Sequence, residues 1–486
     1  MKNPNYIYFT TISVIALLVQ NFIFFQELSL NPTWIEEFFQ SDALYIPLLH
    51  KDLVNDFSSL NSWRHPPAPS LFPDLFLYSF SSALFSNPIQ KVLFYSFFQQ
   101  AYFIISFYLW AKIKNISYPT SFSLITVSIF IYLSYSPFQF FYFLTHISSH
   151  HIGAFLNSIL LFSIYSYIKE QRYRFLILLF IIISGASDKI FLISGVLPVL
   201  FSVTASYLKN RNRENLKQIS MMLISSFLAY KLGKSLTPYN IEKLVLETIN
   251  LSKIFSLFFN DLHFIFMNHI ILIILFFLFI ISIPFAIKFF SSKETVYLPL
   301  LSILFVCLFF LITGGYGNLF TFRRYFIPLL YFPIFFLIAI IHNHSIKITT
   351  GIALLFILIG FSTTKQNIFS RNYANLVSYY PPEIKCLDDL ESQLPSLNGI
   401  SDYWQAKRIS FLSRKVNLNQ ATPNLFVHYW INNRKWYQEK RYGFVIENGL
   451  DRPSIEKVVG IPDLEVKCLN LNILIYKEEI ILNEFQ

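Results

Sequence analysis

Runs of about twenty residues with almost no charge recur about eleven times before position 363 and then stop. Residues 264–285, 298–313 and 326–341 are examples. Such a run crosses about 30 Å of hydrocarbon as a helix, because no water is present there to satisfy backbone polar groups. The composition agrees, with 54% apolar and 14% charged residues against about 25% charged in soluble domains. The pattern predicts an all-α polytopic membrane domain of about eleven transmembrane helices over residues 1–363. From residue 364 the texture changes. Strand-like runs at 416–422, 426–431, 443–447, 464–469 and 472–476, with helical patterns at 402–413 and 454–460, predict a small C-terminal α/β domain over 364–486.

The formal charge of +10 does not indicate nucleic acid, since much of the surplus lies in short loops between apolar runs. Loops around Lys112, Arg172, Arg211, Lys288 and Lys347 fall on one side, which the positive-inside rule makes cytoplasmic. Met1 is then cytoplasmic and the C-terminal domain extracytoplasmic. The first run, 6–25, has no small-residue cleavage site and reads as a retained anchor. Residues 71–85 are apolar but short, with Pro73 and Asp74 in the first turn. Counting them as a span would turn all five basic loops outward. They are therefore expected to lie on the membrane surface, within a long first external loop at 27–90. Cys386 and Cys468 share the exported domain, where they either pair or stand as two inert thiols.

On this topology the unusual polar residues gather at external positions, where ionisable groups at a membrane boundary are functional candidates. Asp42 has two readings. As a carboxylate it can take a proton from a hydroxyl or hold a cation, and as a short acceptor it can cap a helix beginning at Ala43. His146, His150 and His151 either join Asp42 around a divalent cation or are loop histidines. Lys189, Arg323 and Arg324 suit phosphate, the lysine as a compact charge and arginine as a bidentate fork. Their alternative is to snorkel toward lipid headgroups. Tyr45, His65 and Asp188 stand beside these as site-lining candidates, and Glu36 and Glu37 read as solvated loop charges. The stretch Gly314-Gly315-Tyr316-Gly317 has neither the Walker pattern nor a strand-to-helix setting.

Taken together, the chain resembles the GT-C superfamily of membrane glycosyltransferases, and within it the bacterial protein-mannosyltransferase and aminoarabinose-transferase type. The likeness is a loose pattern over nearly the whole chain. It rests on Asp42-x-x-Tyr45 in the first external loop, and on His65-Pro66-Pro67 leading into a surface "jaw" helix at 71–85. Lys189 between the fifth and sixth helices, Pro198 in the sixth, and Arg324-Tyr325-x-x-Pro328 complete it. The resemblance implies residence in a bacterial inner (plasma) membrane and a polyprenyl-phosphate-linked sugar donor. The acceptor would be an extracytoplasmic glycan, lipid or protein. Asp42 would activate the acceptor hydroxyl, and Lys189 with Arg323 and Arg324 would hold the lipid phosphate. The anomeric configuration would invert. One departure concerns metal. Relatives often carry a second acidic residue in the next external loop, where this chain has His146, His150 and His151.

Two other functions fit the same helices. A transporter, flippase or polymerase-like handler of lipid-linked glycans would use the same cations, although the sequence shows no repeated helix pattern. A non-catalytic membrane assembly protein would use the external domain to bind a partner.

Overall fold

The computed structural model describes residues 4–55, 57, 59–135, 145–147, 151–236, 256, 270–290, 294–313, 327–363, 374–438 and 441–482. The chain is mostly helical, with a small sheet region toward its C-terminus. It forms two compact units. The first comprises Met1–Glu27, Pro67–Leu77 and Ser96–Phe369, and the second Leu28–Pro66, Tyr78–Tyr95 and Ser370–Gln486.

Long helices stand where the apolar runs lie, including Pro4–Leu30, Pro88–Ile113, Pro119–Tyr135, Gln171–Ser187 and Arg213–Leu236. Further along are Ile270–Phe289, Glu294–Thr313, Ile327–His344 and Ile346–Thr363. Among the described residues, three helices are long and apolar enough to cross a membrane: Asn5–Leu30, Pro88–Ile113 and Leu192–Asn210. Several hydroxyls of the first unit bond back to the backbone of their own helix. Ser13, Thr126 and Ser158 return their hydroxyls to the carbonyls of Phe9, Phe122 and Ala154 at 2.7 Å, one turn back. Asn21 and Gln100 exchange amide bonds of 2.9 and 2.8 Å inside the first unit. Aromatic side chains fill the spaces between its helices, with Phe335 packed on Phe107 and Trp110 at 4.9 and 4.5 Å.

Of the helix expected at 71–85, Phe76–Leu84 is regular, and Leu71–Leu75 before it is a π-type turn interrupted by extended backbone at Phe72 (φ −136°, ψ 126°). Phe76, Phe80 and Leu84 are exposed at spacings of four, which puts them along one face of that helix.

In the second unit the C-terminal residues build a five-stranded sheet. Its strands are β2 (Asn398–Ser401), β3 (Asn417–Gln420), β5 (Tyr442–Ile446), β6 (Leu464–Cys468) and β7 (Leu471–Ile480), in the order β3-β2-β5-β7-β6. β2 lies between β3 and β5, parallel to both, while β5–β7 and β7–β6 are antiparallel. A parallel pair needs a crossover, and the helix Tyr403–Leu412 supplies it between β2 and β3. Ile400, Val445, Leu474 and Tyr476 meet Ile455 in the core under the sheet. Gly399 is required by close approach, since a Cβ there would sit 2.4 Å from the Phe444 ring on the neighbouring strand.

Residues of the first long loop complete this unit. Helices form at Pro32–Phe38 and Tyr45–Asn55, and β1 (Trp63–Arg64) pairs antiparallel with β4 (Asn432–Asn433). One carboxylate fastens the junction. Asp52 Oδ2 accepts from Trp63 Nε1 at 2.9 Å, Asn433 Nδ2 at 2.7 Å and Trp436 Nε1 at 3.0 Å. Cys386 and Cys468 are joined as a disulfide with a Cα–Cα distance of 5.6 Å, so they pair rather than remain free thiols.

Candidate functional site

Asp42 lies in the turn before the helix Tyr45–Asn55. That helix takes its first bond on the carbonyl of Leu44, from Leu48 N at 3.1 Å, so Asp42 precedes the capping position. The Asp42 carboxylate is engaged elsewhere, accepting a hydrogen bond of 2.5 Å from the Tyr403 hydroxyl. The neighbouring Ser41 donates to the carbonyls of Tyr403 and Trp404 at 2.9 and 2.8 Å, which holds the turn against the helix Tyr403–Leu412.

That helix starts directly beyond the C-terminal end of β2, where its N-cap Asp402 accepts from Gln405 N at 2.9 Å. A four-residue spacing puts Tyr403 and Lys407 on one face. The Lys407 ammonium stands 4.2 Å from the centroid of the Tyr403 ring. Lys407 is 1% exposed, and its Nζ has no hydrogen-bond partner among the described residues. Burial pushes its pKa down to about 7, against a smaller upward pull from the Asp42 charge. The His428 ring packs edge-on to Tyr403 at 6.2 Å, and its pKa is lowered by burial, then by the charges of Lys407 and Arg64. Asp42, Tyr403 and Lys407 thus bring together a carboxylate, a hydroxyl and a buried amine whose pKa is lowered to about 7.

The amine has a measurable consequence for stability. A buried lysine with a lowered pKa binds fewer protons than the same lysine in the unfolded chain. Stability therefore rises with pH from about 7 toward the ordinary lysine value of 10.5. Lys407→Met removes the buried amine and should stabilise the protein by about 1–4 kcal/mol below pH 7. The gain should shrink as pH approaches 10. Thermal melts of both proteins across that range check it, and a pH-independent difference would refute the lowered pKa.

The other expected site residues fall as follows. Tyr45 and His65 meet in the second unit, with the Tyr45 hydroxyl 2.8 Å from His65 Nδ1, while His65 Nε2 reaches the Leu60 carbonyl at 3.0 Å. His65 is buried, which lowers its pKa. Glu36 lies 3.5 Å from the buried guanidinium of Arg408, which also binds Glu383 at 2.8 Å. Glu36 is therefore tied to an ion pair, not simply solvated.

In the first unit, His151 Nδ1 and Asp188 Oδ2 are 2.6 Å apart, and Asp188 Oδ1 accepts from Ile190 N at 2.9 Å. Lys189 stands 6.0 Å from the Tyr230 ring centroid. His146 is fully buried and stacked on Phe24 at 3.6 Å, with Nδ1 held by Thr145 Oγ1 at 2.8 Å. That packing does not suit a metal ligand. Among the described residues no three His, Cys, Asp or Glu side chains come together to hold a cation. His150, Arg323 and Arg324, with the glycine-rich stretch 314–317, lie outside the described residues.

Tyr403, Lys407 and His428 carried no signal as site residues in the sequence. Comparison with protein-family models and with curated proteins gives no match for this chain.

Proposed function

We propose that this chain is an integral membrane glycosyltransferase that moves a sugar from a polyprenyl-phosphate donor to an extracytoplasmic acceptor, with Asp42 as the base. One observation carries the reading. The Asp42 carboxylate is oriented by a short bond from Tyr403 and faces the charge of a buried amine, Lys407. A carboxylate held in one geometry can take the proton of an acceptor hydroxyl as that oxygen bonds to the anomeric carbon. The bond from that carbon to the lipid phosphate breaks, and its electron pair leaves with the polyprenyl phosphate. The configuration inverts. Tyr403 fixes which oxygen of Asp42 faces the acceptor, and Lys407 stabilises the carboxylate as an ion until the proton arrives. Lys189, Arg323 and Arg324 are assigned the charge of the departing phosphate.

Three further observations support the setting. The Cys386–Cys468 disulfide suits an oxidising compartment, in keeping with an exported second unit. Basic loops at Lys112, Arg172, Arg211, Lys288 and Lys347 suit the cytoplasmic side of about eleven spans in a bacterial inner membrane. The exposed stripe of Phe76, Phe80 and Leu84 suits a jaw helix resting in the outer leaflet.

The test is release of polyprenyl phosphate. Purified protein mixed with lipid-linked hexose or pentose donors, with cell-envelope lipid or glycan as acceptor, should free the lipid phosphate and label the acceptor together. Failure across both sugar classes would sink the transferase reading.

A further inference from the structure

The second unit contains a cavity of about 260 Å³ that the proposed chemistry does not use. It opens between the helix Tyr45–Asn55, the helix Phe76–Leu84, the start of Pro88–Ile113 and the end of Tyr403–Leu412. Three of its lining residues are basic, His50, Lys51 and Lys91, and none is acidic. Neither lysine forms an ion pair among the described residues, and His50 is edge-on to Tyr78 at 5.3 Å. The pKa of His50 is lowered by burial and then by the Lys91 charge, the sign of positive charge with no counterion nearby. Ser82 adds a hydroxyl donor, while the Ser410 hydroxyl is already bonded to the Leu418 backbone, and Pro47 and Phe411 give the wall an apolar part.

We propose that this cavity binds the phosphate of a small ligand that also carries an apolar substituent. Two ammonium groups and the Ser82 hydroxyl match a group with up to two negative charges and three acceptor oxygens. The volume lies just below the range of about 300–1,000 Å³ typical of drug-sized ligands, so the occupant is the size of a headgroup. Val54 lines the mouth and is 71% exposed, and Phe57 on the following turn is 78% exposed. An acyl chain leaving the cavity would find apolar contacts there. The inference is independent of the Asp42 chemistry, since it uses none of those residues.

The experiment titrates the full chain, purified in neutral detergent, with three probes: dihexanoyl phosphatidylglycerol, dihexanoyl phosphatidylcholine and glycerol 1-phosphate. Binding is read by calorimetry at low and high salt. Wild type should bind phosphatidylglycerol saturably, and Lys51→Ala with Lys91→Ala should weaken it at least tenfold. Lys51 is exposed and Lys91 half-buried, and unchanged melting of the ligand-free variant is the control for folding. Glycerol phosphate binding as tightly as the lipid would identify a free phosphate ester as the ligand, and binding of the lipid alone would identify a headgroup. The proposal is overturned if wild type binds none of the probes, if the double variant binds as well, or if phosphatidylcholine competes equally.

Discussion

Asp42→Asn is expected to lower sugar transfer by about a hundredfold or more while leaving yield and melting temperature close to wild type. Asparagine keeps the size of the side chain, and its amide oxygen can still accept the Tyr403 hydroxyl that aspartate accepts at 2.5 Å. It cannot take a proton from the acceptor. The same change removes the negative charge that draws the Lys407 pKa upward, so the amine should be neutral over more of the pH range. Tyr403→Phe separates position from basicity. It removes one hydrogen bond to a charged group, a loss of about 1.5–3 kcal/mol, but leaves the base intact. Its rate should therefore fall between wild type and Asp42→Asn. The measurement is transfer from a polyprenyl-phosphate donor at matched protein levels. Wild-type turnover in Asp42→Asn would remove the base from the mechanism and leave the 2.5 Å bond a purely structural one.

Replacing Cys386 and Cys468 together by serine should cost the second unit about 4 kcal/mol of stability. The disulfide closes 82 residues of chain, and the cost follows from the extra freedom the unfolded segment gains when it opens. Against a total of about 5–15 kcal/mol for a typical domain, this is a large fraction. Cys386 lies on the helix Pro382–Asp389, which has no other covalent tie to β6. Limited proteolysis should cut residues 374–482 much faster in the variant, and reductant should bring wild type to the same rate. Equal resistance in all three conditions would show that packing alone holds the unit.

Much of the helical fold could be read directly, because a charge-free run of twenty residues has few other solutions in a chain this apolar. The strands were legible where β-rich runs are bounded by turns: 443–447 and 472–476 overlap β5 and β7, and 464–469 overlaps β6. The expectation of a strand at 426–431 was wrong. Leu425 and Ile431 adopt positive φ of 60° and 50°, which breaks extended backbone, and only an isolated bridge from Ala421 to Val427 forms. β2 was missed, since Asn398-Gly-Ile-Ser has no alternating pattern and is defined by the neighbours on both sides. At the candidate site, Asp42 was visible as an acidic residue in the long loop at 27–90. Its partner Tyr403 is 361 positions away, and nothing in local periodicity reports such a contact. Lys407 reads by itself as an exposed helical lysine, and only tertiary packing makes it buried.

Because residues 28–66 and 370–486 build one unit, its two parts leave the ribosome far apart in time. Ser41 and Tyr403 are separated by 362 residues, and Asp52 and Asn433 by 381. At about 5–20 residues per second, the first part waits roughly 20–70 s for its other half. During that interval Trp63, Leu49 and Ile46, all 1% exposed or less in the finished protein, lie bare. A chain that stops short of Tyr403 would carry every long apolar helix and still leave Asp42 without its hydroxyl and its amine. Translation must therefore pass Tyr403 and Asn433 before the loop finds its partners, and an interrupted product is a target for proteases.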